Sequence, residues 1–432
     1  VGASVPDAGS TSDAGTHTNT RLTRNPAFLC FLAARAQSQV GSAVTATATP
    51  LIAATWLGAD PTQMGMLVSI PFIVRVASRL LSAFAAERPS LRLPAIMTID
   101  AVAGLMTGAI VLTAITGNLS MAWLIALSSL LAGLTGAFGS FSLPLMIDIV
   151  DREQLTRANG ATSAASQLST IIGPGVLGVL AQFLALPLIL IIDAVTYLLS
   201  ITLMLALRRI KTFSGPPGEA PRAARTGMRG FLHAFRNGIR FYVSWGAVIS
   251  FMNGAIIAWL PIYAIRDLQL SPDLYAFILA AGAVGGVAGS STTSLWEAKL
   301  GRRRAALSAA ALTLGATGCL AFVNAGMIGA MGCLGYELLG SFGGTVFVVL
   351  MMSSIPTAVP ENAIAKSMAV GALVLELGTA GGAALGGAVG SLIGIRSAVE
   401  ACFYLGIAIL LVAGLRGLRT RTTPHGASFR RS

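Results

Sequence analysis

Charge is scarce in this chain. Of its 432 residues only 11% are Asp, Glu, Lys or Arg, against roughly 25% in soluble domains. That shortage leaves most of the chain without the side chains a water-facing surface needs. Cysteine is limited to Cys30, Cys319, Cys333 and Cys402. Their positions show no paired spacing, so neither a disulfide framework nor a zinc site is supported. Histidine is limited to His17, His233 and His425, all outside the apolar stretches. No nucleophile with a histidine partner and no metal-ligand cluster can therefore be assembled within those stretches. No P-loop lysine that would cradle a phosphate is present, which argues against direct use of ATP. The expectation is a protein that is not an enzyme and carries neither cofactor nor metal. Lysine itself is rare: 3 of the 29 basic residues. With the high Ala and Gly content, that points to a GC-rich bacterial genome.

What the chain does have is apolar length. It is 54% hydrophobic, with a mean hydropathy of +0.77. Crossing a bilayer takes about 20 apolar residues in a helix, and lipid admits only helices or closed barrels, because the backbone must satisfy its own polar groups. Twelve stretches qualify: 27–51, 63–83, 93–115, 121–147, 161–183, 186–207, 241–265, 274–295, 306–323, 328–355, 367–392 and 398–415. They lack the two-residue alternation of barrel strands, so an all-α polytopic membrane protein with twelve transmembrane helices is expected. No signal-peptide core precedes Ala27, so the first helix reads as an uncleaved anchor.

The formal net charge of +12 invites a nucleic-acid reading, and its distribution argues against one. Of the 29 Lys and Arg, 24 lie in the two tails and the even-numbered connections. Arg266 and Arg396 lie in odd-numbered connections, and Arg35, Arg75 and Arg79 lie within helices. Basic residues concentrate on the cytoplasmic side of membrane proteins. Both termini are therefore expected in the cytoplasm of a bacterial inner membrane, with the excess charge meeting anionic lipid rather than nucleic acid.

Five segments follow from composition. Residues 1–24 form a Gly/Ala/Ser/Thr-rich tail expected to be disordered, and 25–207 hold six helices. Residues 208–240 form a basic linker broken at Ser214-Gly-Pro-Pro-Gly218. Its end carries Phe231, Leu232, Phe235 and Ile239 at helical spacing with arginines between. That pattern fits an amphipathic helix on the inner leaflet or an extension of the seventh helix. Residues 241–415 hold six more helices, and 416–432 form a basic tail. The halves resemble each other. Val150-Asp-Arg-Glu-Gln-Leu-Thr-Arg157 matches Val359-Pro-Glu-Asn-Ala-Ile-Ala-Lys366, and at the same offset Gly173 falls on Gly382 and Gly178 on Gly387. Two duplicated six-helix bundles with a site between them near the midplane is an architecture of secondary transporters.

Several motifs give that architecture a family. The chain resembles the major facilitator superfamily, and within it the drug and siderophore exporters that include macrolide-efflux and enterobactin-exporter proteins. The family pattern between helices two and three is Gly-x-x-x-Asp-Arg-x-Gly-Arg-Arg. Here Glu87 stands at the acid, Arg88 and Arg92 match, and Ala83, Ser90 and Leu91 depart. A second copy keeps Lys299, Gly301, Arg302 and Arg303, with Ala298 at the acid position. The resemblance implies a conformational latch, in which an acid caps a helix across the interface and arginines hold a carboxylate or lipid phosphate. The alternative is ordinary positive-inside charge. Helix five carries Gly160, Ser169, Gly173, Pro174 and Gly178, close to an exporter-associated pattern that also has Gly at 169 and 177. The first helix resembles the same branch through Phe28, Ala33-Ala-Arg35 and Ser38-Gln-Val-Gly41, but has Ser42 where many relatives have Asp.

Charges inside helices are costly, about 2.5–3.5 kcal/mol each on insertion scales, and those that persist usually face a cavity or a partner. At 1.5 Å per residue, Arg75 and Glu376 both lie about 15 Å from the cytoplasmic ends of helices two and eleven, so a pair between them that forms in one state and parts in another is expected. Arg79 and Asp100 share a shallower depth, which fits a fixed structural pair. Arg35, Glu337 and Asn253 are further substrate or coupling candidates, whereas Asp193 reads as a packing residue. With no intramembrane His, proton coupling needs a carboxylate, and Glu376 and Glu337 are the candidates. Gln39, Thr45, Thr47 and Thr49 fit a polar cavity, and Trp245, Trp259 and Tyr336 fit either ligand stacking or packing. The expected function is export of a small amphipathic organic molecule by alternating access, with the proton as coupling ion. An uptake permease on the same fold and a non-transporting receptor or scaffold are the alternatives. The three arginines of the first half favour an anionic substrate.

Overall fold

The computed structural model describes residues 22–210, 239–359 and 361–419. Apart from one turn at Leu22–Arg24, the expected disordered tail lies outside the described residues. So do the linker residues 211–238, with the proposed amphipathic stretch up to Asn237, and the tail beyond Arg419.

Twelve long helices make up the described chain: α1 Pro26–Thr55, α2 Pro61–Ala86, α3 Pro89–Ile115, α4 Met121–Ile149, α5 Leu155–Leu180, α6 Leu186–Ile210, α7 Arg240–Asp267, α8 Pro272–Leu300, α9 Arg302–Ala321, α10 Met327–Ala358, α11 Glu361–Ile393 and α12 Ile395–Arg419. The last turn of α7, Tyr263–Asp267, widens to a π-helix. Eleven of the twelve are long and apolar enough to cross a membrane. The exception is α1, thirty residues long but rich in Ser, Thr and Gln.

Local chemistry sets the boundaries. The Asn25 side chain caps α1 by accepting from the Phe28 amide at 3.1 Å, with Pro26 at the first helical position. Its Nδ2 donates to the Ile149 carbonyl at 2.9 Å, tying the start of α1 to the end of α4. Asp60 and Gln63 form a reciprocal capping box at the start of α2. Between α8 and α9 the chain turns at Gly301 with φ +75°, a left-handed conformation that side-chain-bearing residues rarely adopt.

In the first half α1 packs on α5 and α6, α2 on α4, and α3 on α4 and α6. In the second half α7 packs on α11, and α10 on α8 and α9. The halves meet chiefly through α2 with α11 and α5 with α8. Large apolar side chains such as Leu81, Phe84, Leu105 and Leu392 are exposed, as lipid-facing positions of a membrane bundle are.

The buried core is divided in an informative way. One apolar cluster spans both halves. It includes Leu51, Ile52, Met64 and Leu177 from the first half and Trp259, Tyr263, Tyr275 and Leu320 from the second. All of these lie toward the end of the bundle away from the basic connections. At the basic end there are two separate clusters, one around Phe28, Ile96 and Leu145 and the other around Tyr242, Phe347 and Leu350. The two halves are sealed at one end and parted at the other.

Candidate functional site: the seam between the two bundles

Small residues build the seam. A Cβ on Gly65 of α2 would lie 2.6 Å from the Ala383 carbonyl oxygen and 3.0 Å from Gly387 Cα. A Cβ on Gly387 of α11 would lie 2.6 Å from the Pro61 carbonyl oxygen. On the opposite side, a Cβ on Gly178 of α5 would sit 3.1 Å from both the Asp273 carbonyl oxygen and the Phe277 ring of α8. Gly173 meets α1 at Ala43 and Val44, and Gly382 meets α7 at Phe251. The repeat thus carries equal tasks. The first glycine of each pair seats its helix on the first helix of its own half, and the second seats it on the other half. Such close approach is how helices associate in lipid, where apolar burial gives little drive. Ser169 and Pro174 are buried in the same helix, whereas Gly160 faces open space.

One described ion pair crosses the seam. Arg79 Nη1 lies 2.9 Å from Glu376 Oε1, joining α2 to α11. By the 1.5 Å rise, Arg79 is about 21 Å from Gly65 toward the basic end, where the halves separate. Arg75, one turn back on α2, has its guanidinium 4.2 Å from the Phe72 ring centre. Its Nε is buried without a hydrogen-bond partner, and so is Glu376 Oε2. Glu376 is near enough to act on the Arg75 charge, but its hydrogen bond goes to Arg79. The expected partner on α2 is therefore displaced by one helical turn.

The expected Arg79–Asp100 pair is corrected. Asp100 is buried and accepts from Ser200 Oγ of α6 at 2.6 Å. The reason is packing: α3 rests on α4 and α6, so Asp100 turns away from α2, while Arg79 follows the α2 stripe that faces α11. Asp193 is fully buried and accepts from Thr45 Oγ1 at 2.6 Å, holding α6 to α1. That removes Thr45 from the expected polar cavity. Thr47 and Thr49 likewise bond carbonyls of their own helix. Gln39 Oε1 is buried without a partner. Trp259 is a packing residue, its Nε1 donating to the Gly386 carbonyl at 2.7 Å.

Glu337 packs against Gly282 of α8, whose Cβ would lie 2.6 Å from Oε2. It joins no ion pair among the described residues. Nearby, Tyr336 Oη reaches Asn253 Oδ1 at 3.5 Å. Arg35 sits over the Phe138 ring at 5.2 Å.

The motif residues expected to latch the halves act within each half. Arg92 Nη1 makes two bonds to Asp148 of α4, at 2.6 and 2.7 Å, and Arg92 Nε donates to the Ala86 carbonyl at 3.0 Å. In the second half Arg302 Nε meets Glu297 Oε1 at 2.6 Å, and its Nη1 reaches Thr357 Oγ1 at 3.2 Å. Arg303 stacks on Phe241 at 5.0 Å. Glu87, Arg88 and Lys299 enter no ion pair among the described residues. Among the described residues, none of these motif side chains is bonded across to the other half. The second copy does have its acid, Glu297, one position before Ala298. At an offset of 210, Glu87 matches Glu297 and Arg92 matches Arg302. Asp148 likewise matches Thr357 at the repeat offset of 209. Asp148 and Glu297 were missed; the offset of 210 would have found Glu297, whereas Asp148 falls on a threonine and only the packing of α3 on α4 reveals it.

The geometry of two duplicated six-helix bundles stands beside what the sequence matches. The sequence fits the Major Facilitator Superfamily over residues 31–340 and 246–431. The chain belongs to the major facilitator superfamily. No curated protein matches it. Solved structures share its fold. A bacterial homologue of the human lysosomal transporter Spinster, inward-facing and unoccupied, is 14% identical with a TM-score of 0.66, covering 92% of this chain and 98% of its own. The nucleoside transporter NupG is 12% identical with a TM-score of 0.67, covering 89% and 98%. A bacterial homologue of the iron transporter ferroportin, inward-facing, is 15% identical with a TM-score of 0.67, covering 90% and 97%. As a major facilitator protein, the chain is a multi-pass membrane protein and a secondary transporter rather than an enzyme. Its seam of glycines and the Arg79–Glu376 bridge lie between the units that rock in such a fold.

Proposed function

We propose that this transporter exports a small amphipathic organic molecule, such as a drug, siderophore or secondary metabolite, across a bacterial inner membrane in exchange for protons. The observation that carries export is the α5 element. Gly173 seats α5 on α1, Gly178 seats it on α8 of the other half, and Pro174 is buried between them in the helix, in the sequence pattern that resembles exporters. Positive-inside charge puts the basic end in the cytoplasm, so the parted cleft opens where an exporter loads. Alternating access then consists of closing the basic end and opening the sealed one.

The proton carrier we favour is Glu337, a carboxylate packed at the α8–α10 contact with no ion-pair partner among the described residues. Glu376, tied to Arg79 and close to Arg75, serves as the seam's charge switch. The runner-up, uptake on the same fold, is favoured by Ser169 and Leu177 standing where the exporter pattern has glycine.

Inside-out membrane vesicles bearing the protein test direction. On energisation an exporter draws a panel of amphipathic dyes and antibiotics into the vesicle, and a protonophore abolishes the uptake. Accumulation only in right-side-out vesicles would establish the uptake reading instead. Glu337→Gln is expected to lose gradient-driven accumulation at least tenfold while retaining exchange of labelled for unlabelled solute. Equal loss of both activities would remove Glu337 from the coupling role.

A further inference from the structure

Arg35 lies nine residues into α1, about 14 Å from its basic end. A cavity of about 110 Å³ opens beside it between α1, α4 and α5, lined by Phe31, Arg35, Ser142, Asn159 and Thr162 among others. By sequence depth it sits on the side where the two halves have parted. The guanidinium rests over the Phe138 ring, 5.2 Å from its centre, and makes no ion pair among the described residues. Of the other intramembrane arginines, Arg75 has Glu376 close by, and Arg79 is bonded to it. Arg35 has an aromatic face alone.

A guanidinium presents five donors and cannot give up its proton. Held inside a membrane protein it gains from a negative partner, because a cation–π contact, about 2 kcal/mol or more when desolvated, leaves its five donors unbonded. The walls of the cavity supply uncharged hydrogen-bonding groups, Ser142, Asn159 and Thr162, but no carboxylate. A volume of about 110 Å³ exceeds the roughly 10–15 Å³ that one water needs by this measure and leaves room for a planar carboxylate or a phosphate. Phe31, Leu143 and Met146 line the same place with apolar surface.

We infer that the Arg35 cavity binds the anionic head group of the transported solute, a carboxylate or phosphate ester on an aromatic or aliphatic body. The Arg35 guanidinium takes two oxygens in a bidentate pair. Asn159 and Ser142 donate to the remaining lone pairs. The apolar body extends into the cleft. The site names the substrate class within the export reading and rests on that reading only for which way the anion travels.

Equilibrium binding needs no gradient, so it separates the two claims. The full-length protein in neutral detergent is titrated with naphthalene-2-carboxylate and, at matched ionic strength, with its uncharged isostere naphthalene-2-carboxamide. Thermal shift and intrinsic tryptophan fluorescence are the readouts. The carboxylate is expected to saturate and raise the melting temperature by several degrees, and the amide to do neither. Arg35→Gln should weaken the carboxylate at least tenfold, and Arg35→Lys, which keeps the charge without the fork, by a smaller factor. Asn159→Phe, at an exposed position at the mouth, should block binding without touching the charge, which keeps the test valid should Arg35→Gln misfold. Equal binding of acid and amide overturns the proposal, as does an Arg35→Gln protein that folds and binds normally. A second arm distinguishes a lipid head group. Reconstitution in phosphatidylcholine vesicles with and without phosphatidylglycerol should leave carboxylate affinity within a factor of two. Abolition by phosphatidylglycerol assigns the cavity to lipid and overturns the solute site. If the carboxylate binds through Arg35 yet is not accumulated by inside-out vesicles, the export reading falls and the site stands.

Discussion

Each arginine set within or against the bundle faces the same requirement, a partner for a charge that lipid will not solvate, and the partners differ. Arg92 has a bidentate carboxylate and a backbone carbonyl, which is a structural arrangement. Arg79 shares Glu376 but keeps a 45% exposed side chain, so its pair is within reach of water from the open cleft and is worth less. Arg35 and Arg75 lie on aromatic faces. Stability and transport should therefore separate by residue. Arg92→Ala breaks a largely buried pair and is expected to cost about 3 kcal/mol, read as a lower melting temperature by thiol-probe fluorescence. Arg75→Gln should leave the melting temperature within a few degrees of the wild type and lower the transport rate several-fold. A severe loss of stability in Arg75→Gln alone would assign that residue to the scaffold.

The helices of the seam form two antiparallel contacts, α2 with α11 and α5 with α8, and the glycines decide how closely each pair can approach. Gly387→Val would place new carbons against the Pro61 carbonyl and the Gly65 backbone, groups with no rotamer to escape into. Overpacking of this kind costs about 1–3 kcal/mol, and transport should fall by more than that loss explains, because the seam is a moving surface. Gly160→Ala, in open space, is the matched control and should be neutral in both assays, although its motif position marks it as functional. The seam also holds an unfinished set of bonds, with Arg75 Nε and Glu376 Oε2 both buried and unpartnered. Moving Glu376 from Arg79 to Arg75 is a one-turn step of about 5.4 Å along α2. A transport cycle that uses it will show strong non-additivity among Arg75→Gln, Arg79→Gln and Glu376→Gln. Additive effects of the three changes would leave Arg79–Glu376 as a fixed strut.

At the scale of the whole molecule, what was legible in the sequence follows from where each property resides. The helix count and the two-bundle plan depend on apolar length and on the spacing of basic residues, so the twelve helices emerge within about six residues of the expected limits, although α1 falls short of the apolar length the other eleven reach. The repeat offset carried tertiary information as well. It placed Gly173 with Gly382 and Gly178 with Gly387, and these pairs perform matching contacts. Partner choice was not legible, because it depends on helix rotation. Depth alone put Arg79 level with Asp100, and only the rotation of α2 toward α11 and of α3 toward α6 sends them to different partners. The same geometry makes a claim about motion. The shared core at the sealed end and the two separate cores at the basic end are complementary, so closing one end must open the other if each half moves as a rigid body. Spin labels at Leu91 and Leu300, exposed at the basic end on different halves, should draw together as the cycle proceeds. Labels at Trp56 and Leu274, exposed at the sealed end, should move apart in the same fraction of molecules. A pair inside one half, Leu91 with Ile147, should keep its distance throughout. Native cysteines replaced by alanine leave the labels unambiguous, and double electron–electron resonance reads all three pairs. Shortening at the basic end with no change at the sealed end would mean that the halves bend rather than rock, and the shared apolar core would then be a permanent hinge rather than a gate.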